Sequence, residues 1–108
     1  MTAGVDHIAG ETFHGRRGAV RLHVLHHAAE HDVHGAWLTR ELARHGHHIS
    51  PGTLYPLLHR MEAAGLLDSH EAVVEGRALR RYRATDRGRR ELGACRDALR
   101  ELVDEVLE

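Results

Sequence analysis

Ser50-Pro51-Gly52-Thr53-Leu54-Tyr55-Pro56-Leu57-Leu58-His59-Arg60-Met61-Glu62-Ala63-Ala64-Gly65-Leu66 is the stretch that decides the fold of this chain. It opens with a helix start signal. A serine at the cap position offers its oxygen to a free backbone N–H, and proline suits the first helical position because its missing N–H is not needed there. Leu54, Leu57, Leu58 and Met61 then recur at i, i+3, i+4, i+7, the period of a helix with one buried stripe. The opposite face carries Thr53, Tyr55, His59 and Arg60, side chains able to hydrogen-bond or stack. Gly65 ends the helix, since glycine reaches the left-handed conformation without a Cβ clash. Pro56 removes one hydrogen bond inside the pattern and biases Tyr55 away from helix. The uninterrupted apolar stripe therefore predicts a kinked or tightened first turn, not a break.

Upstream, a helix is expected to start near residue 16, with Val20, Leu22, Val24, Leu25, Ala28 and Ala29 on a broad apolar side. Residues 32–35 read as a turn. A second helix is expected over residues 36–44, with Leu38 and Leu42 inward, stopping at Gly46. Two short helices joined by a tight turn, the second with a polar outer face, form the pattern of a helix-turn-helix. Downstream the period changes to two. Residues 67–74 and 79–85 read as strands joined by a turn at Glu75-Gly76, with Tyr82 and Ala84 on one face and Arg81 and Arg83 on the other. A helix-turn-helix followed by a β-hairpin is a winged helix, and the wing tip is rich in arginine. Thr85 is placed to cap a last helix with Asp86 in its first turn. That helix carries Leu92, Cys95, Leu99, Leu102 and Val106 at spacings of 3, 4, 3 and 4, a heptad seam widened by Val103 and Leu107. The domain body is already closed by the earlier helices, so the seam is assigned to a second subunit. The fold class is α+β, mostly α: an N-terminal arm over residues 1–15, a winged helix-turn-helix over 16–85, and a C-terminal dimerisation helix over 86–108.

With 108 residues the chain makes one domain with a small core. No apolar run approaches the roughly 18 residues of a membrane span, and the N-terminus lacks the pattern of a signal peptide. One cysteine excludes an intramolecular disulfide and fits a reducing, cytoplasmic setting. The net charge of −1 says little, but its distribution says more. Seven arginines and one acid lie between Arg77 and Arg90, while six acids and two arginines lie from Glu91 to Glu108. One end is suited to an anion and the other is not. Double-stranded DNA is the expected partner. Arg77, Arg80, Arg81 and Arg83 are candidates for phosphate contacts, and Ser50, Thr53, Tyr55, His59 and Arg60 for the major groove.

Several of these residues also carry a family resemblance. His34-Gly35 before the second helix, the run Ser50-Pro51-Gly52-Thr53-Leu54-Tyr55-Pro56, the pattern Leu58/Arg60/Glu62/Gly65-Leu66, Gly76-Arg77 at the wing, Arg81-Tyr82-Arg83 and Thr85-x-x-Gly88 resemble the PadR family of transcriptional regulators. The resemblance spans about residues 16–92. It implies a dimeric winged-helix repressor that binds palindromic operators and is released by a small effector. The short last helix is similar to that of the family's compact members. Ala36, Trp37 and Ala78 depart from the usual residues where helices and effector would meet, so the resemblance names no effector.

Twelve histidines are a further peculiarity. His23, His27 and His31 recur at i, i+4, i+8 on the first helix, and i, i+4 histidines can share a metal. They are a candidate site for a divalent transition metal such as zinc, acting as an effector, although no cofactor is required by the fold. His45, His47 and His48 form a second cluster. Trp37 is either a core or dimer-contact residue or a stacking wall for a flat effector. No nucleophile–base–orienter set and no glycine-rich phosphate loop can be picked out, so an enzyme is not expected. The second reading is a histidine-rich metal-binding or protein-interaction module on the same winged-helix frame.

Overall fold

The computed structural model describes residues 15–108, with side chains from Arg17 onward; the arm expected over residues 1–15 lies, but for its last residue, outside them. The described chain forms α1 (Gly15–Glu30), β1 (Val33–His34), α2 (Gly35–Arg44), α3 (Pro51–Ala63), β2 (Leu67–Val74), β3 (Arg77–Ala84) and α4 (Asp86–Val106). The strands make one antiparallel sheet in the order β1-β3-β2. This is the winged helix-turn-helix expected from the apolar periods, mostly helical, with α2 and α3 as the helix pair and β2–β3 as the wing.

The stripes read from the sequence meet in one core. Val24 and Leu25 of α1, Leu38 and Leu42 of α2, and Leu54, Leu58 and Met61 of α3 are all buried, and Leu67, Tyr82 and Leu92 close the cluster from the sheet and α4. Removing such side chains from water is the main stabilising term, on the order of 1.5–3 kcal/mol for each large residue. Burial, reinforced by the Glu62 carboxylate, raises the Tyr82 phenol above its ordinary pKa and keeps it neutral.

Pro56 does not interrupt α3. The first turn is tightened, as expected, because the Ser50 carbonyl accepts from both Thr53 N (3.0 Å) and Leu54 N (2.9 Å). The Ser50 side chain departs from the reading. It occupies the cap position, but its Oγ lies 3.3 Å from the Thr53 hydroxyl and makes no bond to a backbone N–H. Thr85 caps α4 as foreseen, accepting from Gly88 N at 3.0 Å.

Residues 32–35 hold more than a turn. Val33 and His34 pair with Tyr82 and Arg81 as a two-residue strand on the far edge of β3. So short a strand shows no alternation, which is why the sequence pattern missed it. His34 then caps α2, its Nδ1 accepting from Trp37 N at 3.3 Å.

The wing turns on Glu75-Gly76, both at positive φ (52° and 74°), between the paired residues Val74 and Arg77. Two positive φ values in a two-residue loop define the turn whose twist suits a hairpin, and asparagine is far better than glutamate at its first position. Glu75→Asn should therefore stabilise the fold by about 0.5–1 kcal/mol. A thermal melt should rise by roughly 2–8 °C. A lower melting temperature would show that the turn does not impose this backbone.

Candidate DNA-binding face and histidine cluster

The inward stripe of α3 fixes what faces out. Burying Leu54, Leu57, Leu58 and Met61 leaves Thr53, His59 and Arg60 exposed on the opposite side. Tyr55 differs from this expectation in part. It is 41% exposed, yet its ring lies against Gly35, where a Cβ built on the glycine would overlap the phenol. Tyr55 is therefore a packing contact between α3 and the start of α2 as well as a surface residue. This also explains the glycine of the His34-Gly35 pair.

A groove of about 290 Å³ runs beside this face, lined by Arg17, Val20, Ile49, Thr53, Leu57 and Arg60. It adds Arg17, from the start of α1, to the cations near α3. Nothing local in the sequence ties Arg17 to this face, since it stands more than thirty positions from the α3 cluster.

The four wing arginines do not form one surface. Alternation puts Arg80 on the side of Tyr82, where β2 meets α3. There its Nη1 donates to Ser69 Oγ (3.0 Å), which in turn donates to Glu62 Oε2 (2.7 Å), and Nη2 lies 3.6 Å from Glu71. This chain ties the wing to α3. Arg83 is on the other side, 3.6 Å from Asp32, which also meets His70 at 3.7 Å. Arg77 and Arg81 have no ion pair among the described residues. Arg89 donates to the Ala29 carbonyl at 3.3 Å and so joins α4 to α1.

The predicted seam on α4 is divided. Leu92 and Cys95 are buried within the chain itself, against α1, and are not open to a partner. The assignment of these two residues to a dimer contact is corrected accordingly. The body was not closed before α4, because α1 still presented an apolar flank. Leu99, Leu102 and Val106 are 37%, 55% and 67% exposed, with Val103 and Leu107 beside them. At their upper end an apolar cavity of about 270 Å³ opens between α1 and α4, lined by Ala19, Leu22, His23, His26, Leu92, Arg96 and Leu99.

The predicted metal triad is also rearranged. His23 and His27 stay together, but the third donor is His45 at the end of α2, with all three ligand atoms within 4.8 Å of one another. His31 is not part of the set. Each step of four residues turns about 40° round a helix, so by His31 the series has rotated away. Its ring meets Trp37 edge-on at 5.0 Å, and its Nδ1 lies 2.9 Å from the Asp32 carbonyl. Trp37 packs on the core and is flanked by His27 at 5.2 Å as well, which favours the packing role over an open stacking wall. Glu41 sits under the cluster, with Oε2 3.5 Å from His27 Nε2 and 3.3 Å from His45 Nε2. Burial and the neighbouring imidazoles lower the pKa of His23, and burial with His26 lowers that of His27. Burial of Glu41 opposes its ionisation, but the bonds from His45 and Arg44 outweigh it and hold the carboxyl below its usual range.

The sequence matches the Transcriptional regulator PadR-like family over residues 24–94. It is 65% identical over 92 residues to Transcriptional regulator Rv3488 of Mycobacterium tuberculosis, covering 85% of this chain and 86% of that protein. The fold is similar to a PadR family transcriptional regulator from Eggerthella lenta, with 34% identity, a TM-score of 0.73, and 98% and 94% of the two chains covered. A PadR-like transcriptional regulator from Bacillus cereus gives 26% identity, a TM-score of 0.73, and coverage of 85% and 94%. With a winged helix whose α3 carries the Ser-Pro-Gly-Thr-Leu-Tyr-Pro run, this chain belongs to the PadR-like family of transcriptional regulators, which act by binding DNA and are not enzymes.

Proposed function

We propose that the chain is a homodimeric repressor that reads an inverted-repeat operator and is released by an effector. The observation that carries the DNA-binding mode is the exposed outer face of α3, with Thr53, His59 and Arg60 beside a wing that leaves Arg77 and Arg81 free of ion pairs among the described residues. Each subunit places α3 in a major groove and its wing along the adjacent backbone. Half-sites then lie about one helical turn, ~10 bp, or a multiple apart. The exposed residues Leu99, Leu102, Val103, Val106 and Leu107 support pairing through the second half of α4. They continue the α1–α4 cavity as one apolar strip, of the kind that monomeric proteins seldom leave open.

The arginines of this face should fail differently. Arg60→Ala removes a base reader, so binding to the DNA upstream of the protein's own gene should weaken by roughly 1–3 kcal/mol while binding to a scrambled duplex changes less. Arg81→Ala removes a phosphate contact, so both duplexes should be bound more weakly and the salt slope should flatten by about one unit. Arg80→Ala serves as the contrast, since its guanidinium is engaged by Ser69 and Glu71. Footprinting and salt titrations measure all three. Full operator preference in the Arg60 variant would mean that another face reads the DNA.

A further inference from the structure

We propose that His23, His27 and His45 form a binding site for one divalent transition-metal ion, zinc-like in preference, which clamps the end of α2 to the middle of α1. Three imidazole nitrogens from two elements already lie within 4.8 Å of one another. Zinc–nitrogen bonds of about 2.1 Å put tetrahedral ligands roughly 3.4 Å apart, so the donors need to close by at most ~1.4 Å. A fourth imidazole is at hand, for the His47 ring lies 5.2 Å from that of His23. His27 Nε2 and His47 Nδ1 are buried nitrogens with no hydrogen bond among the described residues. Buried polar atoms normally have partners. Two such nitrogens, the first with only the longer approach of Glu41 at 3.5 Å, leave lone pairs available to a cation at a cluster of imidazoles. Glu41 Oε2 faces the same nitrogens, 3.5 Å from His27 Nε2 and 3.3 Å from His45 Nε2, and so sets a negative charge beside the position of a bound cation.

The second set of donors, His26, His27 and Glu30, is a weaker candidate. It comes from a single helix turn, and the Arg96 guanidinium stands 3.0 Å from His26 Nδ1, a fixed positive charge beside the set that opposes a cation there. The His23, His27 and His45 set also has a route to function. Residues 45–50 form the turn of the helix-turn-helix and lead directly into the cap of α3. An ion that fixes His45 and draws in His47 fixes that turn against α1. This regulatory consequence rests on the DNA-binding reading; the site itself does not.

The test uses the full chain, with zinc calorimetry and cobalt substitution read by its visible absorption. Wild type should bind one ion per chain with the intense bands of a tetrahedral nitrogen-ligated cobalt. His23→Gln and His45→Gln should each weaken binding by at least ~10-fold. His31→Gln and His48→Gln should leave it unchanged, which separates this site from unspecific uptake by a histidine-rich chain. Circular dichroism checks that each variant is folded; His45 is exposed at the surface, so its replacement leaves the core intact. Absence of binding by wild type, or equal binding by the His45 variant, would overturn the site. A second measurement addresses regulation: zinc should change operator affinity of wild type and not of His45→Gln. Metal binding with no such change would remove the regulatory role and leave the site standing, whereas absence of any DNA binding would count against the repressor reading alone.

Discussion

Leu102→Glu should give a folded monomer that holds its operator ~10²–10⁴-fold less tightly. The effect follows from the division of α4. Its first half is held inside the chain by buried Leu92 and Cys95, so the subunit's own fold does not depend on position 102, which is 55% exposed. In the proposed dimer the same position lies in the apolar strip, and two symmetry-related carboxylates would be buried there without partners. Each such charge costs about 3–5 kcal/mol. Sedimentation should show the mass of one chain, and circular dichroism should show an undiminished helix signal. With the subunits apart, two half-sites are bound independently and the gain from linking them is lost. A stable dimer of normal mass would refute pairing through this helix.

Gly88→Ala should lower stability by about 2–3 kcal/mol, even though alanine is the better helix former. A Cβ at residue 88 would collide with the carbonyl oxygen of Leu66, which is backbone and cannot swing aside. That same carbonyl accepts from Thr85 N at 3.1 Å, and Thr85 Oγ1 donates to the Gly65 carbonyl, so a shift of α4 away from Leu66 also breaks its cap. The melting temperature should fall by roughly 8–24 °C. Gly93→Ala is the control in the same helix. Nothing described lies within 4 Å of a Cβ there, so this change should raise stability by up to about 1 kcal/mol. If Gly88→Ala behaved like Gly93→Ala, the close approach of α4 to Leu66 would be refuted.

What could be read from the sequence was what repeats along it. The stripe of Leu54, Leu57, Leu58 and Met61, the alternation around Tyr82 and the cap at Thr85 are local patterns, and each survives in the structure. What could not be read was which distant residues those patterns bring together. The seam through Leu92 and Cys95 is periodic whether α1 or a second subunit covers it, and only the packing of α1 on α4 distinguishes the two. His31 fitted the spacing of a chelate but not its direction, while His45 came from a different helix. The wing arginines looked equivalent in the chain, and the pleat separates Arg80 from Arg81. Tyr55 was legible as a surface residue and not as the neighbour of Gly35, twenty positions earlier.

The contact of Gly88 with Leu66 has a mechanical consequence. The last helix starts on the carbonyls of Gly65 and Leu66, the two residues whose N–H groups close α3, with no flexible tether between them. In the proposed dimer the two arms therefore behave as the rigid legs of a pair of dividers, hinged only where Leu99, Leu102 and Val106 meet their counterparts. The span between the points is set by how those residues cross, not by linker length. Each base pair inserted at the centre of an operator turns one half-site by about 34° relative to the other, at 10–10.5 bp per turn, and dividers of this kind have no slack to follow it. A regulator so built distinguishes promoters by measuring them, and whatever alters the crossing alters the measure.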